Sequence, residues 1–112
     1  MDLHSDYHND MHIITVNAPR IDAAAAIRFK DALRAATAEG PALVVLDLCH
    51  VTFVDSSGLG AIVAAMKQLA ADRRLELAGL TPDVAKVFRL TRMDTVFAIH
   101  KDIRAAALRA SG

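Results

Sequence analysis

The sequence predicts a single α/β domain. Stretches rich in β-branched and aliphatic residues alternate with stretches whose apolar residues recur every three or four positions, the pattern of a partly parallel sheet under a helical layer. One stretch, 42–48, is apolar on both strand faces apart from Asp47, as a central strand with neighbours on each side requires. Of the 112 residues, 54% are hydrophobic but only 4% aromatic, so Leu, Val, Ile and abundant Ala must fill one core.

Taken in order, the first ten residues are polar and rich in His and Asp, which predicts a flexible segment or an edge strand ahead of a domain spanning 11–112. His4, His8 and His12 would share one helical face at this spacing. Asp2, Ser5, Asp6, Asn9 and Asp10 oppose that helix because their side chains compete for the backbone, so solvated histidines are expected rather than a metal site. Met-His-Ile-Ile-Thr-Val, residues 11–16, reads as a strand, and Ala18-Pro19 ends it. Asp22 is placed to cap a helix over 23–38 with an apolar stripe of Ala26, Phe29, Leu33 and Ala36, stopped by Gly40-Pro41.

After the central strand, Cys49 is the only cysteine, which rules out an intramolecular disulfide and predicts a small apolar packing residue. His50 reads as a structural or edge residue. Phe53 and Val54 keep the chain extended, and a helix follows from Ser57 or Gly58 to Ala71, with Leu59, Ile62, Val63, Met66 and Leu69 at helical spacing. Residues 75–80 alternate as a strand. Thr81-Pro82-Asp83 combines a capping hydroxyl, proline at the first helical position and an acid in the first turn, so a third helix runs to about Leu90 with Val84, Val87 and Phe88 inward. A last short strand is expected at 96–99. Asp102 then caps a terminal helix whose apolar side includes Ile103, Ala107 and Leu108.

Thirteen basic residues balance thirteen acidic ones, so no whole-chain field attracts nucleic acid or an anionic membrane. The start has no basic-then-apolar leader, and no window reaches the roughly 18–20 uninterrupted apolar residues of a membrane span. A soluble cytoplasmic protein without direct membrane insertion is expected.

The junction Asp55-Ser56-Ser57-Gly58-Leu59-Gly60 lies where a strand gives way to a helix, beside backbone N–H groups that lack intrahelical acceptors. A dinucleotide loop would need a third glycine after Gly58 and Gly60, and the Lys-Ser/Thr ending of a phosphate loop is missing. A nucleophile elbow would need glycine upstream of the serine, and only His100 follows in the chain to act as base. Neither catalytic residues nor a cofactor is therefore assigned. Asp55 either orients the Ser56 hydroxyl or caps the helix, and the residues could be ordinary caps.

Leu46-Asp47-Leu48 followed by Phe53-Val54-Asp55-Ser56-Ser57-Gly58-Leu59-Gly60 resembles the signature of STAS domains of the anti-sigma factor antagonist type. Arg20-Ile21-Asp22-Ala23-Ala24, the stretch Leu75-Glu76-Leu77-Ala78-Gly79-Leu80-Thr81-Pro82, and Val87-Phe88-Arg89-Leu90-Thr91 extend the resemblance over nearly the whole chain. It implies a mixed sheet of four or five strands with about four helices, and a non-enzymatic bacterial protein. Such a protein binds an anti-sigma factor when unphosphorylated and is released when that partner, a serine kinase, phosphorylates it using ATP; a serine phosphatase resets it. By motif position the phosphorylated residue is Ser56, and Asp55, Ser56, Ser57, Gly58, Leu59 and Gly60 form the partner-binding loop. The alternatives within the same fold are an accessory subunit of a transporter, such as a lipid-transport ATPase complex without a phosphoswitch, or a nucleotide-sensing module. The sequence departs from the pattern at Pro19, where glycine usually precedes the Leu-Asp segment, at Arg92-Met93, which replaces the usual Gly-Leu after the Leu-Thr pair, and at Asp72-Arg73-Arg74, which lacks the glycine often found at the exit of the second helix.

Overall fold

The computed structural model describes residues 1–111. In chain order it contains strands β1 (Leu3–His8), β2 (Met11–Val16) and β3 (Arg20–Ile21), helix α1 (Ala26–Ala36), strands β4 (Leu43–Asp47) and β5 (Phe53–Val54), helix α2 (Ser56–Gln68), strand β6 (Arg74–Ala78), helix α3 (Pro82–Leu90), a 3₁₀ turn (Met93–Thr95), strand β7 (Ile99–His100) and helix α4 (Ile103–Ser111). The main sheet has the order β1-β2-β4-β6-β7, with β1 antiparallel to β2 and every other pair parallel. As its apolar run requires, β4 is the middle strand.

The sheet buries its two faces against different partners. Ile14, Val16, Val44, Leu46, Leu75 and Leu77 join Phe29 and Leu33 of α1, Ile62 of α2 and Phe88 of α3 in the larger core. The opposite face, Met11, Ile13, Leu43, Val45 and Ala78, is covered by Ala106 of α4 with Ile103 and Ala107 beside it. This second layer reverses one expectation for α4: Leu108 is exposed, and Ala106 is the buried residue that meets the sheet.

Several element boundaries differ from the sequence expectation for identifiable reasons. The first helix starts at Ala26 rather than Ala23, since Asp22 holds residues 23–25 as a turn and the N–H of Ala23 donates to Asp55 Oδ2 at 3.0 Å. It ends at Ala36, where the Thr37 hydroxyl turns back onto the Leu33 carbonyl at 2.7 Å. Helix α2 begins one residue early at Ser56 and stops at Gln68. The last strand is Ile99–His100 rather than 96–99: Phe97 drops into the core against Phe88 at 6.1 Å between ring centroids, which breaks the alternation. Thr81 occupies the cap position of α3, but its hydroxyl donates to the Val51 carbonyl at 2.7 Å instead of capping. Leu90 faces solvent, as does Cys49, whose thiol is pushed up by partial burial and by the neighbouring Asp47.

Arg92 stands in the left-handed region at φ 60° and ψ 19°, at one of the positions where the sequence departs from glycine. A side chain there is sterically disfavoured, so Arg92→Gly is expected to stabilise the fold slightly or leave it unchanged, by up to about 1 kcal/mol after the added unfolded-state freedom is subtracted. Urea denaturation with an unchanged m-value checks this.

The histidines divide differently from the sequence expectation. His4 and His8 are exposed on β1, but His12 is fully buried, stacked on Tyr7 at 4.3 Å with Nε2 3.0 Å from Ser5 Oγ. Among the described residues no group of three His, Cys, Asp or Glu side chains is arranged to hold a metal. Burial, reinforced by the charge of Arg73, holds the His12 pKa below its ordinary value. The unfolded chain therefore binds a proton that the folded chain refuses: stability is complete above about pH 6.5 and declines as pH falls below it. Glu76 also has a depressed pKa, its burial being outweighed by bonds from His100 and Arg74, but its loss of stability starts only near the ordinary carboxyl range of ~4.3. A fall in Tm between pH 6.5 and 5 should thus vanish in His12→Gln, measured relative to that variant's own Tm at pH 7.5.

Candidate functional site

The start of α2 is built by two short parallel strands. In the pairing of β3 with β5, Arg20 lies opposite Phe53 and Ile21 opposite Val54. Upstream, the Pro19 carbonyl accepts from the N–H groups of Thr52 at 2.8 Å and Phe53 at 3.2 Å, a role that does not need the N–H proline lacks. Arg20 stacks over the Phe53 ring at 4.0 Å and donates to Asp22 Oδ2 at 3.2 Å. That bond is the main reason the Asp22 carboxyl titrates below its ordinary value, with the Ala25 N–H adding to it.

Asp55 is the N-cap of α2, with extended backbone at φ −96° and ψ −174°. Its Oδ1 accepts from the N–H of Gly58 at 2.8 Å, and its Oδ2 accepts from the N–H of Ala23 at 3.0 Å. The carboxylate therefore joins the start of α2 to the turn before α1. Of the two roles open to it in the sequence, capping is the one it performs here, and it does not hold the Ser56 hydroxyl.

Ser56 and Ser57 are the first two residues of α2 and both are exposed. Neither hydroxyl has a protein partner among the described residues, and neither backbone N–H is taken. The positive end of the helix dipole thus coincides with two free N–H donors and two free hydroxyls, an arrangement that tolerates an added anion.

The two glycines of the motif serve opposite ends. Gly58 is buried beneath the chain's own β3: a Cβ there would stand 1.9 Å from the Ile21 carbonyl oxygen. The close backbone approach that glycine permits is made from within the domain rather than by a partner. Gly60 is exposed, and a Cβ there would meet nothing within 4 Å. It opens instead onto a shallow groove of about 280 Å³ between α1 and α2, lined by Ala61, Ala64 and Ser57 on one helix and by Ala26, Ile27 and Lys30 on the other. Leu59 points partly into the core.

The structure thus brings Asp55, Ser56, Ser57 and Gly60 to one surface and turns Gly58 and Leu59 inward. Sequence reasoning missed the α1 wall of that surface, and one signal was present: Ile27 is a branched apolar residue outside the Phe29/Leu33 stripe, and it is 70% exposed.

The family model of the STAS domain matches residues 4–106. An anti-sigma-B factor antagonist of Listeria monocytogenes is 33% identical over 89 residues, spanning 79% of this chain and 78% of the relative. Among solved structures, an anti-sigma factor antagonist from Mycobacterium paratuberculosis superposes with a TM-score of 0.87 at 22% identity, covering 99% of this chain and 94% of that one. A Bacillus cell fate determinant in its phosphorylated form superposes with a TM-score of 0.69 at 19% identity, over 97% of this chain and 99% of its own. Motif, sheet order and comparisons agree: the chain belongs to the STAS domain family, among its anti-sigma factor antagonists.

Proposed function

We propose that this chain is the phosphorylation-controlled member of a partner switch: it binds an anti-sigma factor through the surface around Ser56 and is released when Ser56 is phosphorylated. Residues 11–112 are read as the STAS domain, with the first ten supplying its edge strand; Gly112 lies outside the described residues. The observation that carries the reading is the state of Ser56, an exposed hydroxyl with no protein partner at the first position of α2.

The chemistry follows from what is free and what is occupied. Serine oxygen attacks the γ-phosphorus of ATP, the bond to ADP breaks, and the hydroxyl proton must go to a base. Asp55 spends its oxygens on the N–H groups of Gly58 and Ala23 and makes no bond to the Ser56 hydroxyl, so the base is assigned to the kinase rather than to this chain. The chain contributes position: a hydroxyl at the rim of a rigid helix, with free N–H groups to receive the product's charge. The phosphate adds ~1.5–2 negative charges near Asp55 and Asp22, which changes the partner surface while the helix end accommodates it. A phosphatase hydrolyses the ester and restores the neutral hydroxyl. The protein acts in this reading as a non-enzymatic cytoplasmic regulator. Among the described residues no helix is long and apolar enough to cross a membrane.

A pull-down with wild type, Ser56→Ala and Ser56→Asp, followed by mass spectrometry, tests the reading. An anti-sigma factor kinase retained by the first two and lost by the third is expected. Recovery of a transport ATPase equally by all three would replace the switch with the transporter-subunit alternative.

A further inference from the structure

Strand β1 leaves one edge of the main sheet open, and its sequence is self-complementary along that edge. It is the terminal strand of the five, and all its residues except Leu3 are exposed. Two residues, Asn9 and Asp10, both at positive φ, close the hairpin to β2 with His8 opposite Met11. A two-residue turn of this kind makes His8 and Met11 a doubly hydrogen-bonded pair, and the pattern alternates from there. The N–H and C=O of Asp6, His4 and Asp2 therefore face β2, as the Asn17 N–H donating to the Asp2 carbonyl at 2.9 Å bears out. Those of Leu3, Ser5 and Tyr7 face outward. Among the described residues the Tyr7 N–H accordingly finds only its neighbour's carboxylate, Asp6 Oδ1 at 2.9 Å.

The side chains alternate Asp2, His4, Asp6, His8 on one face of this strand. If a second copy adds antiparallel about a two-fold axis at Ser5, three outward pairs exchange backbone bonds: Ser5 with Ser5, Leu3 with Tyr7, and Tyr7 with Leu3. The same register sets His4 against Asp6 and Asp2 against His8, each twice, in the non-hydrogen-bonded sites where cross-strand side chains lie closest. An imidazole N–H donates to a carboxylate in either protonation state. Sliding the register by two residues places Asp6 on Asp6 with His4 on His8, or His4 on His4 with Asp2 on Asp6, so like faces like. Only the Ser5-centred register gives every acid an imidazole.

We propose that β1 is a homodimerisation edge, joining two copies into a continuous ten-stranded sheet with the two-fold axis at Ser5. The inference stands apart from the role of Ser56. Light-scattering mass measurements from ~1 µM to ~1 mM, the span over which weak association shows, should find the full chain passing from monomer to dimer. The variant Asp2→Lys/Asp6→Lys sets cations against imidazoles, and His4→Asp/His8→Asp sets acids against acids; each alone should dimerise at least tenfold more weakly. Mixed together they should form a heterodimer, since every pair is again an acid facing a base. Amide exchange of Leu3, Ser5 and Tyr7 should slow as wild type dimerises. A wild type that stays monomeric throughout, or single-sign variants that dimerise like wild type, overturns the proposal. So does a mixture that stays monomeric while circular dichroism shows both variants folded.

Discussion

Ser56→Asp is expected to lower affinity for the anti-sigma partner by at least about 100-fold, or roughly 2.7 kcal/mol, while changing fold stability little. The fold is spared because Ser56 is exposed, makes no bond that aspartate would lose, and lies where a helix start favours negative charge. Binding is not spared. In the proposed interface, which accepts a neutral hydroxyl, the new carboxylate arrives beside Asp55 and must be desolvated, and a cost of this kind falls mainly on the dissociation rate. Phosphoserine should weaken binding further, since it carries more charge than aspartate. Ser56→Ala removes no charge and should bind within a few-fold of wild type. Calorimetric titration of all three against the partner, beside their urea midpoints, separates the effect on binding from any effect on folding.

Gly58→Ala should do the reverse, damaging the fold first and binding as a consequence. A methyl group 1.9 Å from the Ile21 carbonyl oxygen collides with backbone, which cannot rotate away as a side chain could. Either α2 shifts or β3 separates from β5, and in both cases the bonds of Asp55 to Gly58 and Ala23 are strained. A loss of about 3 kcal/mol or more is expected, at the upper end for overpacking. Gly60→Ala, two residues away, is the matched control of opposite sign. Nothing lies within 4 Å of its added Cβ, so a gain of roughly 0.5–1 kcal/mol in helix propensity is expected. The same methyl group narrows the groove facing Ile27 and Lys30, so this stabilised variant should bind the partner less tightly.

Much of the architecture was legible because the sequence signals were mutually consistent: an apolar run for β4, a proline-started α3, and helical spacing through α2. What was not legible depends on contacts between distant segments. Nothing local shows that the N–H of Ala23 will be taken by Asp55, and that bond delays α1 by three residues. Nor does the glycine of a known motif reveal whether its missing side chain makes room for the chain's own backbone or leaves open surface; Gly58 does the first and Gly60 the second, and only the path of Ile21 shows which is which. The strands β3 and β5, two residues each, are too short for any periodicity. His12 had the opposite problem: read with His4 and His8 as one solvated series, it is separated from them by strand alternation, which puts it on the face of Ile14 and Val16 that α1 and α2 cover, while they lie on the other face of the exposed edge strand β1.

The central claim is that Ser56 receives the phosphate. Incubation of the full chain with its cognate anti-sigma kinase and labelled ATP should incorporate one phosphate per chain on Ser56, located by tandem mass spectrometry, and Ser56→Ala should incorporate none. Label that appears undiminished in Ser56→Ala, or that maps to Ser57 in the wild type, would contradict it.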